Sequence, residues 1–126
     1  MTPAQFRAVL DTTAAAAYAR RSVDLGEVLA EITAEDARFS VPALCLVEAA
    51  AGATPDQVEL LRVLAKHPCC TVLPLASSDW QQVASAAQLL GTLGRAAAAL
   101  PVASGLALYV VTHEPDAYAG IETIAI

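Results

Sequence analysis

Three acidic residues stand where an α/β chain gathers its chemistry. Asp11 directly follows the apolar run Phe6–Leu10, Glu114 comes two residues after the run 106–112 (Leu-Ala-Leu-Tyr-Val-Val-Thr), and Glu48 lies one turn into the segment after residues 38–41. Open parallel sheets bind their ligands beyond the carboxyl ends of the strands, so acids at strand ends are the ones to weigh. Glu48 is the most telling, because its helical neighbours at i−4, i−3, i+3 and i+4 are Leu44, Cys45, Ala51 and Gly52. A carboxylate on so apolar a face is desolvated and calls for a partner: a cation, a hydrogen-bond donor or a metal. Each acid also has a plainer use. Asp is a favoured N-cap, which suits Asp11 before an Ala-rich segment, while Glu114 and Asp116 flank Pro115 in a turn and Glu48 can reach solvent from a helix of small residues.

The elements that must position these acids follow from periodicity. Strands are expected at Phe6–Leu10, 38–41 (stopped by Pro42), 70–75 (at a sheet edge, because it holds Pro74), 106–112 and 121–126. Between them lie helical segments. Residues 12–20 are Ala-rich behind Asp11 or Thr12; residues 24–35 place Leu25, Val28, Leu29 and Ile32 on one face; Ala43–Ala51 closes at Gly52. Thr54-Pro55-Asp56 opens the next helix with proline in its first turn, Ser77-Ser78-Asp79 caps one running to Leu90, and residues 95–105 form the last. Strands alternating with helices of this length imply βαβ units. One domain over residues 1–126 is expected, a three-layer α/β/α fold with a short, mainly parallel sheet.

Composition narrows the function classes. The 126 residues include 29 alanines, which favours close helix packing and carries no chemistry. No stretch of about 18 apolar residues lacks a breaker, so no membrane span is expected. The start Met1-Thr2-Pro3-Ala4-Gln5-Phe6-Arg7 lacks the pattern of a secretory signal, and a soluble cytoplasmic protein is the expectation. Thirteen acids against seven scattered bases give a formal charge of −6, a poor composition for binding nucleic acid through phosphate neutralisation alone. The three cysteines, Cys45, Cys69 and Cys70, match neither a disulfide framework nor a zinc pattern. No G-x-G-x-x-G follows a strand, and neither His67 nor His113 has a nucleophile at a recognisable spacing.

Taken together, Ala8-Val9-Leu10-Asp11-Thr12-Thr13, Val41-Pro42-Ala43-Leu44-Cys45-Leu46-Val47-Glu48-Ala49 and Val110-Val111-Thr112-His113-Glu114-Pro115-Asp116-Ala117-Tyr118 resemble, in order, the three best-defined stretches of the PIN-domain family. The likeness is to the small toxin ribonucleases of VapBC-type toxin–antitoxin pairs in particular. It implies a compact α/β/α fold, homodimerisation, an antitoxin-like protein partner and an RNA substrate cleaved with Mg²⁺ or Mn²⁺. On the resemblance, Asp11 is the central metal ligand and Glu48 a second. Glu114 stands where the family usually has Asp, Asp116 is a further candidate, and Thr13 and Thr112 are hydroxyl-bearing supports. Hard divalent cations take oxygen ligands of this kind.

One acid of the family pattern is missing. No acid occurs between Trp80 and His113, and Arg95, in Gly91-Thr92-Leu93-Gly94-Arg95, falls near the place where the family usually opens a helix with Asp. A fixed positive charge there repels a divalent ion and is expected to neutralise Asp11 and Glu48 itself, since unlike charges 4 Å apart attract by about 4 kcal/mol at a dielectric of about 20. Pro101 is expected to kink or shorten the same helix. The expectation is a PIN-like domain with RNA cleavage weak or lost; the alternative is a non-catalytic module that dimerises or binds an antitoxin-like basic peptide.

Overall fold

The computed structural model describes residues 3–126; Met1 and Thr2, at the head of the start segment, lie outside the described residues. In chain order the elements are β1 (Phe6–Leu10), α1 (Thr12–Ala19), α2 (Val23–Ala34), β2 (Phe39–Pro42), α3 (Ala43–Ala51), α4 (Pro55–Ala65), β3 (Cys70–Leu73), α5 (Trp80–Leu90), α6 (Leu93–Ala103), β4 (Ala107–Thr112), a 3-10 turn (Pro115–Ala117) and β5 (Thr123–Ala125). The five strands form one sheet in the order β3-β2-β1-β4-β5. Every neighbouring pair is parallel. The fold is a three-layer α/β/α sandwich, as the alternation of strand and helix patterns predicts.

β1 sits in the middle of the sheet and is buried along Ala8, Val9 and Leu10. It pairs with β4 over Phe6↔Ala107, Ala8↔Tyr109, Val9↔Val110 and Leu10↔Val111. A parallel strand covered on both faces needs a continuous apolar run rather than an alternating one, and Phe-Arg-Ala-Val-Leu comes close to that. Alanine sets the helix spacing. Ala14, Ala15 and Ala17 of α1 and Ala96 and Ala98 of α6 are fully buried, and side chains this small let those helices approach their neighbours closely.

Caps account for most of the helix starts. Asp11 accepts from Ala14 N, Ser22 from Leu25 N and Thr92 from Arg95 N, and Thr54 with Gln57 forms a reciprocal capping box. Several expectations are corrected. Asp79 holds the N-cap position of α5 but makes no capping bond, and α6 begins at Leu93 because Thr92 caps it. β2 runs through Pro42, which pairs with Leu73, and β3 stops there, leaving Pro74 beyond the strand that does lie at the sheet edge. Pro101 does not shorten α6, which continues to Ala103 although the proline forfeits the hydrogen bond that an N–H at 101 would donate to the Ala97 carbonyl. Among the described residues no single helix is long and apolar enough to cross a membrane.

Candidate functional site

The carboxyl ends of β1 and β4, the middle of α3 and the first turn of α6 converge on a cleft of about 190 Å³. It is lined by Asp11, Glu48, Glu114 and Arg95, with Thr12, Thr13, Thr92 and Tyr118 between them. Three acids picked from strand ends therefore do come together.

Asp11 is only 2% exposed and fully engaged. Its Oδ1 accepts from Ala14 N at 2.9 Å and from Thr13 Oγ1 at 2.7 Å, and its Oδ2 accepts from the Tyr118 hydroxyl at 2.7 Å. The plain capping use and the site use are thus served by the same carboxylate. Tyr118 is itself buried, and desolvation, with the adjacent Asp11 charge adding to it, raises its phenol well above the ordinary value, so it stays a donor at all ordinary pH.

The threonines form the joint between β1 and β4. Thr13 Oγ1 accepts from His113 N at 2.9 Å and lies 3.2 Å from Thr112 Oγ1. Its single proton is committed to Asp11, so Thr112 is the donor of that pair, and Thr112 accepts in turn from Glu114 N at 2.9 Å. Both hydroxyls thus tie the end of β4 to the start of α1 through this relay.

Glu48, half-buried, finds donors at both ends. Oε1 accepts from Thr12 Oγ1 at 2.6 Å and Oε2 from Gly94 N at 3.3 Å. Glycine is required at 94 by close approach, because a Cβ there would lie 2.0 Å from Glu48 Oε1 and 2.4 Å from Thr12 Oγ1. Cys45 on the same helix donates its thiol to Gly94 O at 3.3 Å, and burial pushes that thiol up to about 12. It is therefore a protonated packing group, in keeping with its apolar sequence surroundings.

Arg95 is a correction. It forms no hydrogen bond with Asp11 or Glu48; Nη2 donates to Glu114 Oε2 at 2.8 Å and Nη1 to Leu90 O at 2.9 Å. The reason is occupancy: the oxygens of Asp11 and Glu48 already hold nearer donors, whereas Glu114 has an oxygen turned to the start of α6. The Glu114 hydrogen bond is the main influence holding the guanidinium in its charged form. Asp116 is exposed in the 3-10 turn and does not line the cleft. His113 engages Arg20 and Ile126 O through its ring nitrogens, so it too is outside the cleft.

Sequence reasoning did not single out Tyr118, Thr12, Thr92 or Gly94 as site residues. Gly94 alone carried a signal, a glycine in the first turn of an otherwise Ala-rich helix. The divalent cation that the sequence resemblance implies fits poorly on this donor set. Both oxygens of Asp11 and of Glu48 carry protein donors, Glu114 carries a guanidinium, and among the described residues no group of three or more His, Cys, Asp or Glu side chains is arranged to hold a metal ion. Compared with known proteins, the chain matches no family model and no curated protein.

Proposed function

We propose that this chain is a PIN-like domain of the VapC toxin type, acting in the cytoplasm, in which metal-dependent RNA cleavage is weak or lost. The observation that supports this reading is the commitment of Asp11, Glu48 and Glu114 to Tyr118, Thr12, Gly94 and Arg95, partners supplied by the chain itself. A hard cation at this pocket has to displace charge-assisted hydrogen bonds that are among the stronger ones proteins make. Incubation of single-stranded RNA with the protein and Mn²⁺ or Mg²⁺ is expected to give no more cleavage than the Asp11→Asn variant gives. Metal-dependent cleavage that disappears in Asp11→Asn would sink the reading.

A second reading, a non-catalytic interaction module, is favoured by the surface of α5 and the start of α6. Trp80, Leu89 and Leu93 are 59%, 89% and 50% exposed, and α5 carries no charged residue. Beside it an apolar groove of about 520 Å³ runs between α5, α6 and the ends of β2 and β3. Leu89 and Leu93 flank the α5–α6 corner, and exposed apolar residues of this kind can mark an association surface. Homodimerisation through this face is the first expectation, and an antitoxin-like protein with a basic segment facing the acidic cleft is the other partner that suits the charge. Sedimentation at tens of micromolar is expected to show a dimer that Leu89→Glu converts to monomer; a wild-type monomer overturns that expectation.

A further inference from the structure

Three separate features of the chain build a seat for one guanidinium. Arg95 Nη2 donates to Glu114 Oε2, and Nη1 donates to the carbonyl of Leu90, the last residue of α5, where the negative end of the helix dipole lies. Gly91 makes the corner between α5 and α6 with φ +97°, and a Cβ there would stand 3.0 Å from Arg95 Nη1. The missing side chain is thus what opens the passage from Arg95 to Leu90. The base of the side chain is fixed as well, since Arg95 N donates to the Thr92 cap at 3.0 Å.

We propose that Arg95 is the resident cation of the acidic cleft, an autoinhibitory latch that ties the α5–α6 corner to the loop after β4 and withholds Glu114 from Asp11 and Glu48. A divalent ion then competes with a tethered guanidinium whose effective concentration is of order millimolar. The pair is partly exposed, with Arg95 and Glu114 side chains at 29% and 46%, so salt screens it and the latch loosens as ionic strength rises. The inference rests on the PIN-like reading for the kind of cation the cleft once held; the seat of the guanidinium does not depend on that reading.

The test uses Mn²⁺ alone, titrated at low salt by calorimetry or by the electron spin resonance of the free ion. Arg95→Met keeps the aliphatic stem and removes the charge. It is expected to bind Mn²⁺ at least about tenfold more tightly than the wild type, and Arg95→Met/Glu114→Gln is expected to lose that gain. Equal affinity in Arg95→Met and wild type, or a gain that survives Glu114→Gln, overturns the latch. A readout independent of metal is nitrogen-15 NMR of the guanidinium. Hindered rotation of the Arg95 Nη groups in the wild type, relaxed in Glu114→Gln, supports the seat; free rotation in the wild type overturns it. Tighter Mn²⁺ binding by Arg95→Met without RNA cleavage leaves the latch standing and counts against the nuclease lineage, whereas unchanged Mn²⁺ binding removes the latch whatever the RNA assay gives.

Discussion

Asp11→Ala is expected to destabilise the fold by about 3 kcal/mol, a fall of about 12 °C in melting temperature for a domain of this size. The substitution removes the α1 cap, worth about 1 kcal/mol. It also strands the Tyr118 hydroxyl in a site where the ring is 2% exposed, and an unsatisfied buried donor costs about 1–3 kcal/mol. Relief from burying a carboxylate offsets part of the sum. Asp11→Asn keeps an acceptor and is expected to lose about half as much. Tyr118→Phe isolates the single bond, and a double-mutant cycle on Asp11 and Tyr118 should show coupling, because the two changes remove the same contact. Additive losses in that cycle would mean that the phenol does not hold the acid. The tyrosine also predicts a pH effect. Its phenol is raised in the folded state above the ordinary value of 10.0, so its contribution is fully present below that pH and is lost as pH rises beyond it. Wild-type stability should therefore fall more steeply above pH 10 than that of Tyr118→Phe.

Gly94→Ala is expected to melt about 8 °C lower than the wild type, although alanine is the better helix former by about 1 kcal/mol. The new Cβ would meet Glu48 Oε1 and Thr12 Oγ1 at 2.0 and 2.4 Å, well inside contact distance. Glu48 cannot simply swing away, because one oxygen is bonded to Thr12 and the other to Gly94 N. Moving it releases two bonds to a charged group, at about 1.5–3 kcal/mol each before water recovers part of the loss. Gly94→Ala/Glu48→Ala removes the nearer obstruction and releases the Thr12 hydroxyl to turn away from the other, so its loss should be smaller than the sum of the single losses. A Gly94→Ala melting temperature at or above that of the wild type would show propensity winning and the approach of α6 to Glu48 to be slack.

Periodicity and caps made most of this architecture legible in the sequence. Leu25, Leu29 and Ile32 face inward as their spacing predicts, and the β-rich run ending at Thr112 is the strand that pairs with β1. Strand order was not legible, because nothing local in Ala107–Thr112 says that it will lie beside Phe6–Leu10 and not beside Cys70–Leu73. The acids were found because parallel sheets collect functional groups at one edge, a rule that needs only the strand ends. Their partners were not. Tyr118 reaches Asp11 across 107 positions of sequence, and Thr12 reaches Glu48 across 36. Such pairs are set by the fold as a whole, so a threonine in a first helical turn or a tyrosine after a turn looks ordinary until the chain is closed. Arg95 shows the same limit in reverse: its charge was legible, but its choice of Glu114 depended on which oxygens nearer donors had already taken.

The central place of β1 gives the cleft a role in the order of assembly. β1 meets β2 about thirty residues later in the chain, but meets β4 only after about a hundred, and loop-closure entropy disfavours the second encounter more. The bonds from Tyr118 to Asp11 and from Thr112 and His113 N to Thr13 cross that late junction, while the bond from Gly94 to Glu48 joins α6 to α3. Until β4 docks, Asp11 lacks the Tyr118 donor, Thr13 lacks the donors from Thr112 and His113, and the central strand has one unpaired edge. The acidic cleft is thus the seam along which the two halves of the chain close, and its hydrogen bonds are complete only when folding is.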